Sequence, residues 1–107
     1  MKKIKKYWRE EKTYRDWESE PGAVYTAEFT KPVLAEVVGK SVEDAEDFVI
    51  GSIEGYIASK RNDWIRLVKN FENATIDKRE EGDRVVFSGE YWVNERRVVV
   101  EYILELG

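Results

Sequence analysis

The sequence predicts an α+β domain: a curved antiparallel sheet of about four strands, in the order β-α-β-β-β, packed on one long helix and preceded by a basic aromatic N-terminal arm or helix. Three observations predict it. Apolar residues recur at 42, 45, 49, 53, 56, 57, 64, 67, 68 and 71 with helical spacing. The segments Arg84–Val93 and Arg97–Leu106 instead alternate in the strand period, with Asn94-Glu95 as the turn between them. The length of 107 residues suits one domain and not two. We divide it into an arm over 1–20 and an α+β core over 23–107.

The arm reads as a helix over about residues 3–17, because Ile4, Tyr7, Trp8, Tyr14 and Trp17 fall roughly on one helical face. Lys3–Arg9 also fits an edge strand whose lysines discourage pairing. Glu20-Pro21-Gly22 breaks the chain. Val24–Thr30 alternates as a strand, Lys31-Pro32 interrupts it, and Val33–Val38 resumes an extended apolar pattern up to Gly39-Lys40. A proline within a strand implies an edge or a bulge. Ser41 is a helix cap, with Asp44 reaching back as in a capping box. The acids Glu43, Asp44, Glu46 and Asp47 then suit the positive end of the helix dipole. The spacing predicts a helix over 42–60 and a continuation or second helix over 63–70. Ala74–Arg79, Arg84–Val93 and Arg97–Leu106 complete a β-meander.

On the last two strands Val85, Phe87, Gly89, Tyr91 and Val93, with Val98, Val100, Tyr102, Leu104 and Leu106, form the face that meets the helix. The opposite face carries Val86, Trp92, Val99 and Ile103 among its charges. A solvated sheet face holds few such residues. Burying each is worth about 1.5–3 kcal/mol, so either the arm or a second subunit should cover them.

Composition removes whole classes of chemistry. The chain has no Cys and no His, and no Gln either. That excludes disulfides, Ser-His-Asp and Cys-His triads, His-ligated zinc and haem. Charged residues make up 37%, against a usual quarter or so. Sixteen Glu, a single Met, and no Gln or Cys match the usage of hyperthermophile proteins. Helix-interior glycines and a strand proline argue against a designed chain. No apolar run approaches the ~20 residues of a membrane span, and no secretory signal is present. The chain reads as cytoplasmic.

Charge falls in blocks. Residues 1–15 hold seven bases and two acids, and 41–59 hold five acids and no base, within a net charge of −4. The basic block makes Lys2, Lys3, Lys5, Lys6, Trp8 and Arg9 candidate nucleic-acid contacts, with bases neutralising phosphates and aromatics stacking. The same aromatics serve equally as core, with the charges as a solvated flank. Gly51 and Gly55, four apart on the long helix, each cost about 1 kcal/mol relative to Ala. They point to close packing against the sheet or to a ligand groove. Glu43, Asp44, Glu46 and Asp47 match no cation loop, and dipole complementation explains them. Glu90 and Glu101 share a sheet face, where Arg84, Arg96 and Arg97 make ion pairs the expected outcome. No catalytic, cofactor or metal site is assigned.

The segment Val37-Val38-Gly39-Lys40-Ser41-Val42-Glu43-Asp44-Ala45 resembles the strand-to-helix junction of dodecins, small flavin-storing proteins. The order of strand, helix and antiparallel strands is similar too. The resemblance covers about nine residues and implies a flat aromatic ligand such as flavin. The chain departs from the family in its basic arm, longer helical region and extra strand, and in lacking any glutamine of the kind dodecins place on the flavin.

The leading functional expectation is a non-catalytic binding or assembly module, self-associating as a homodimer or larger. One alternative is a nucleic-acid-associated protein acting through residues 1–15. Another is a small-ligand binder with a pocket between helix and sheet.

Overall fold

The computed structural model describes residues 2–15, 19–64, 75–93 and 96–107. The elements run β1 (Ile4–Arg15), β2 (Ala23–Glu28), α1 (Lys31–Ala35), α2 (Val42–Trp64), β3 (Thr75–Glu81), β4 (Arg84–Val93) and β5 (Arg96–Leu106). They build one antiparallel sheet in the order β2-β1-β5-β4-β3, with α2 as the main helix. The α+β class is as expected. The sheet has five strands rather than about four.

The extra strand is the arm. Residues 4–15 form no helix; β1 lies inside the sheet between β2 and β5. A bulge explains the helical appearance of its sequence. Ile4 pairs with Leu106 and Lys6 with Glu105, so Lys5 is an extra residue in the ladder. The bulge reverses the side-chain alternation, and Ile4 and Tyr7, three apart, both point into the core at 1% and 4% exposure. That spacing mimics a helix turn. Trp17 lies outside the described residues.

Val33–Val38 is not a strand either. Pro32 stands in the first turn of α1, where its missing N–H costs nothing and its fixed φ favours the helix. The chain then reverses at Gly39, whose φ of 89° is left-handed. Two backbone bonds tie this turn to β1: Ile4 N–H donates to the Lys40 carbonyl at 2.9 Å, and Gly39 N–H to the Ile4 carbonyl at 2.7 Å. The strand half of the segment in the dodecin resemblance, residues 37–40, is therefore a turn that leads into α2.

Ser41 caps α2 as expected, its Oγ accepting from the Asp44 N–H at 3.2 Å. The helix runs unbroken through Lys60–Asp63 to Trp64; positions 65–70 of the expected second helix lie outside the described residues. Ala45, Val49, Ile53 and Ile57 form its buried stripe. They meet Val85, Phe87 and Tyr91 of β4 and Val98, Val100, Tyr102 and Leu104 of β5 in one core. The contact is closest at Gly89: a Cβ there would lie 2.6 Å from Ile57 Cδ1 and 2.9 Å from Ile53 Cγ2. Among the described residues, no helix is long and apolar enough to cross a membrane.

Candidate interaction surfaces

The sheet face away from α2 gathers the four apolar residues singled out above. Register places Trp8, Ile103, Val86 and Arg79 in one row across β1, β5, β4 and β3. The next row is Glu10, Glu101, Ser88 and Asp77. Val86 and Ile103 are 2% and 6% exposed, while Trp92 and Val99 are half-buried. The arm does help to cover this face, from within the sheet and not by folding back over it. Trp8 stands beside Ile103, and the Arg84 guanidinium lies 5.3 Å from the Trp8 ring centre.

Glu101 is the buried charge of this face, at 3% exposure. Lys12 Nζ lies 2.5 Å from Glu101 Oε1, and Arg79 holds the other oxygen. Burial pushes the Glu101 carboxyl up, but hydrogen bonds from Lys12 and Arg79 outweigh it and leave it below its ordinary value. Its expected neighbour Glu90 stands opposite Val99 and reaches Arg97 at 3.7 Å. The geometry is that of ion pairing, with no carboxylate dyad. Of the helix acids, Glu46 pairs with Lys78 at 2.9 Å. No group of three acids among the described residues converges as metal ligands does.

Of the six candidate nucleic-acid contacts, Lys5, Lys6 and Trp8 line one cleft, and Lys2, Lys3 and Arg9 do not line it. Lys2 pairs with Asp83 at 2.5 Å, and Lys6 approaches Glu105 at 3.9 Å. Trp8 is half-buried on the open face, its Nε1 donating to Glu10 at 3.2 Å. Arg9 points to the opposite face, 4.2 Å from the Tyr56 ring centre. There Tyr56 donates its hydroxyl to Glu11, and the desolvated phenol titrates well above its ordinary value. Trp8 and Arg9 thus stand on opposite sides of the sheet. Gly51 and Gly55 are exposed, and among the described residues nothing lies within 4 Å of a Cβ at either. The close approach expected there belongs instead to Gly89.

Two features were missed in the sequence. The first is the contrast between the sheet's outer strands. β3 carries five charged side chains in seven residues, Asp77 through Glu81. β2 presents Ala23-Val24-Tyr25-Thr26-Ala27 before its first charge at Glu28, with Val24 and Tyr25 50% and 67% exposed. The Thr13 carbonyl accepts from Gly22 N–H, so Thr13, Glu11 and Arg9 direct their backbone groups toward β2. Their partners Tyr25 and Ala27 face β1 in return, which leaves the N–H and C=O of Val24 and Thr26 on the free edge.

The second is a cleft of about 800 Å³ where β2 ends and the chain swings out into α1. It lies between β1 and α1, and not beneath the long helix, where the pocket was expected. Its apolar wall includes Phe29, Leu34 and Val38. The readable signal for it was Pro32 as a helix starter rather than a strand breaker. No known protein family, curated protein or solved structure matches the chain.

Proposed function

We propose that the chain is a non-catalytic assembly module that forms a homodimer through the free edge of β2. The observation that carries the reading is the uncharged edge, Ala23–Ala27, in a molecule whose other edge is densely charged. Exposed edges invite pairing, and charged side chains are the usual protection. β3 has that protection and β2 lacks it.

A two-fold axis at Tyr25 sets Val24 opposite the partner's Thr26 and Thr26 opposite the partner's Val24. Each pair exchanges two backbone bonds, about four in all. The two exposed Tyr25 rings become cross-strand neighbours, a contact worth about 0.2–1 kcal/mol. Backbone bonds add about 0.5–1.5 kcal/mol each. So short an interface belongs to the weak, reversible class. The predicted interface residues Val86, Trp92, Val99 and Ile103 lie two and three strands from this edge, and pairing does not require them.

Light scattering over a concentration series tests the reading. The expected mass moves from 12.6 kDa toward twice that value as concentration rises. Thr26→Pro deletes an N–H that faces away from β1 and pairs with no described residue, a position where an edge strand tolerates proline. It is expected to hold the mass at 12.6 kDa with unchanged circular dichroism. A wild-type monomer at every concentration overturns the proposal. A dimer that survives Thr26→Pro also overturns it, and moves the interface to the open sheet face.

A further inference from the structure

We infer that the cleft between β1 and α1 is a binding site for a small anionic amphiphile, a molecule with an apolar body and a carboxylate or phosphate head. The inference does not rest on the dimer. It rests on the size of the cleft, its two-sided chemistry and the charge it leaves unmatched.

The volume of about 800 Å³ lies within the range of small-molecule sites and exceeds what a chain of a dozen methylenes fills. One wall is apolar, with Phe29, Leu34 and Val38. Val38 is among the few large apolar residues left exposed, at 37%. The wall exists because β2 stops pairing at Glu28, opposite Trp8, while α1 carries the next residues away from the sheet.

The rim is cationic. Lys5, Lys6, Lys31 and Arg84 face the cleft with only Glu28 and Glu105 among them, in a chain whose net charge is −4. Lys6 and Arg84 share Glu105, at 3.9 and 3.7 Å. No carboxylate among the described residues pairs with Lys5 or Lys31. Lys5 is the bulged residue of β1, so the irregularity in the ladder is also what sets a cation at this mouth. Two ammonium groups with no ion-pair partner among the described residues, beside an apolar wall, complement an anionic head on an apolar body. A neutral apolar molecule would leave that charge unused, and a bare phosphate would leave the wall wet. The occupant that fits is a free amphiphile and not a bilayer, because the site is a recess and not a projecting apolar surface.

Isothermal titration of the full chain with dodecanoate, dodecyl phosphate and dodecanol, each below its aggregation threshold, tests this. The expected result is one site per chain for both anions, with affinity falling as salt rises. Dodecanol should bind about tenfold more weakly or worse. Lys5→Glu with Lys31→Glu alters only exposed side chains. The pair should weaken dodecanoate at least about tenfold while leaving dodecanol and the melting temperature unchanged. Equal affinity for dodecanol and dodecanoate overturns the inference, as does dodecanoate binding that the double variant leaves intact. So does the absence of binding at about 1 mM of either anion. Sedimentation with anionic lipid vesicles, in place of binding to the free amphiphiles, would reassign the site to a membrane surface. Val24→Pro removes another free-edge N–H at a residue outside the cleft lining, and its binding dodecanoate as wild type does separates this site from the dimer edge: either can fail without the other.

Discussion

The two faces of the sheet bury their residues by different means. On the side of α2, four aliphatic residues of the helix stripe meet a wall of Val, Phe, Tyr and Leu from β4 and β5. On the open side no described helix lies over Val86 and Ile103, yet they are as buried as the core. Their neighbours in register are Trp8 and Arg79, and Lys12, Arg79 and Arg84 arch over this face by their long side chains. Aliphatic stems shield apolar surface while their heads stay near water. One face is therefore held by packing, the other by a lattice of ion pairs centred on Glu101. Packing is sensitive to volume and indifferent to pH. The ion lattice should behave the opposite way.

The largest expected effect is on the packed face. Gly89→Ala places a methyl 2.6 Å from Ile57 Cδ1, the outer end of its side chain, and 2.9 Å from Ile53 Cγ2, a branch methyl held close to the helix backbone, so the neighbours must shift. Overpacking of this kind costs about 1–3 kcal/mol, and we expect the upper half of that range. Urea unfolding should show the loss equally at pH 4 and pH 7. A neutral outcome would mean that α2 rides loosely on the sheet, and the contrast between the faces would collapse.

Glu101→Gln comes next. It keeps the shape and removes the charge that Lys12 and Arg79 share. Both cations retain water, at 27% and 48% side-chain exposure, so the loss stays below that of a fully buried pair. About 1–2 kcal/mol at pH 7 is expected. The pH dependence is the sharper test. The folded carboxyl titrates below its ordinary value of 4.5. Its contribution is therefore complete above that value and is lost as pH falls through the folded one. The gap between wild type and variant should close as pH drops from about 5 toward 3. A gap constant over that range would mean that Glu101 acts by shape alone.

The same contrast separates what was legible in the sequence from what was not. The packed face was readable: Ala45, Val49, Ile53 and Ile57 recur at intervals of four, and β4 and β5 alternate cleanly. The apolar type of Val86 and Ile103 alone also says that they need cover. What covers them was not readable, because register across β1 and β5 is a long-range property. The bulge at Lys5 carried the largest error. It set Ile4 and Tyr7 three apart on one face, and that interval belongs to helices. Pro32 misled in a similar way, since it starts a helix as readily as it interrupts a strand. The cleft depends on both features, so no local pattern announced it. The edge contrast was present in Ala23–Ala27 and Asp77–Glu81, but it gains meaning only once both strands are known to be outermost.

The smallest effect tests the outer side of α2 against its inner side. Glycine appears on both sides of this contact, with opposite roles. Gly89 is required because two isoleucines of the helix occupy the space of its missing Cβ. Gly51 and Gly55 lie on the helix itself, exposed, with nothing within 4 Å of an added Cβ among the described residues. There a methyl group meets solvent and restricts only the unfolded chain. Gly51→Ala should therefore stabilise the protein by about 0.5–1 kcal/mol, since alanine is the better helix former. In a domain of this size that raises Tm by about 2–6 °C. A loss of stability instead would mean that the exposed side of α2 is covered in solution. The glycine pair would then mark a close contact after all, and its partner would have to be sought outside the described residues.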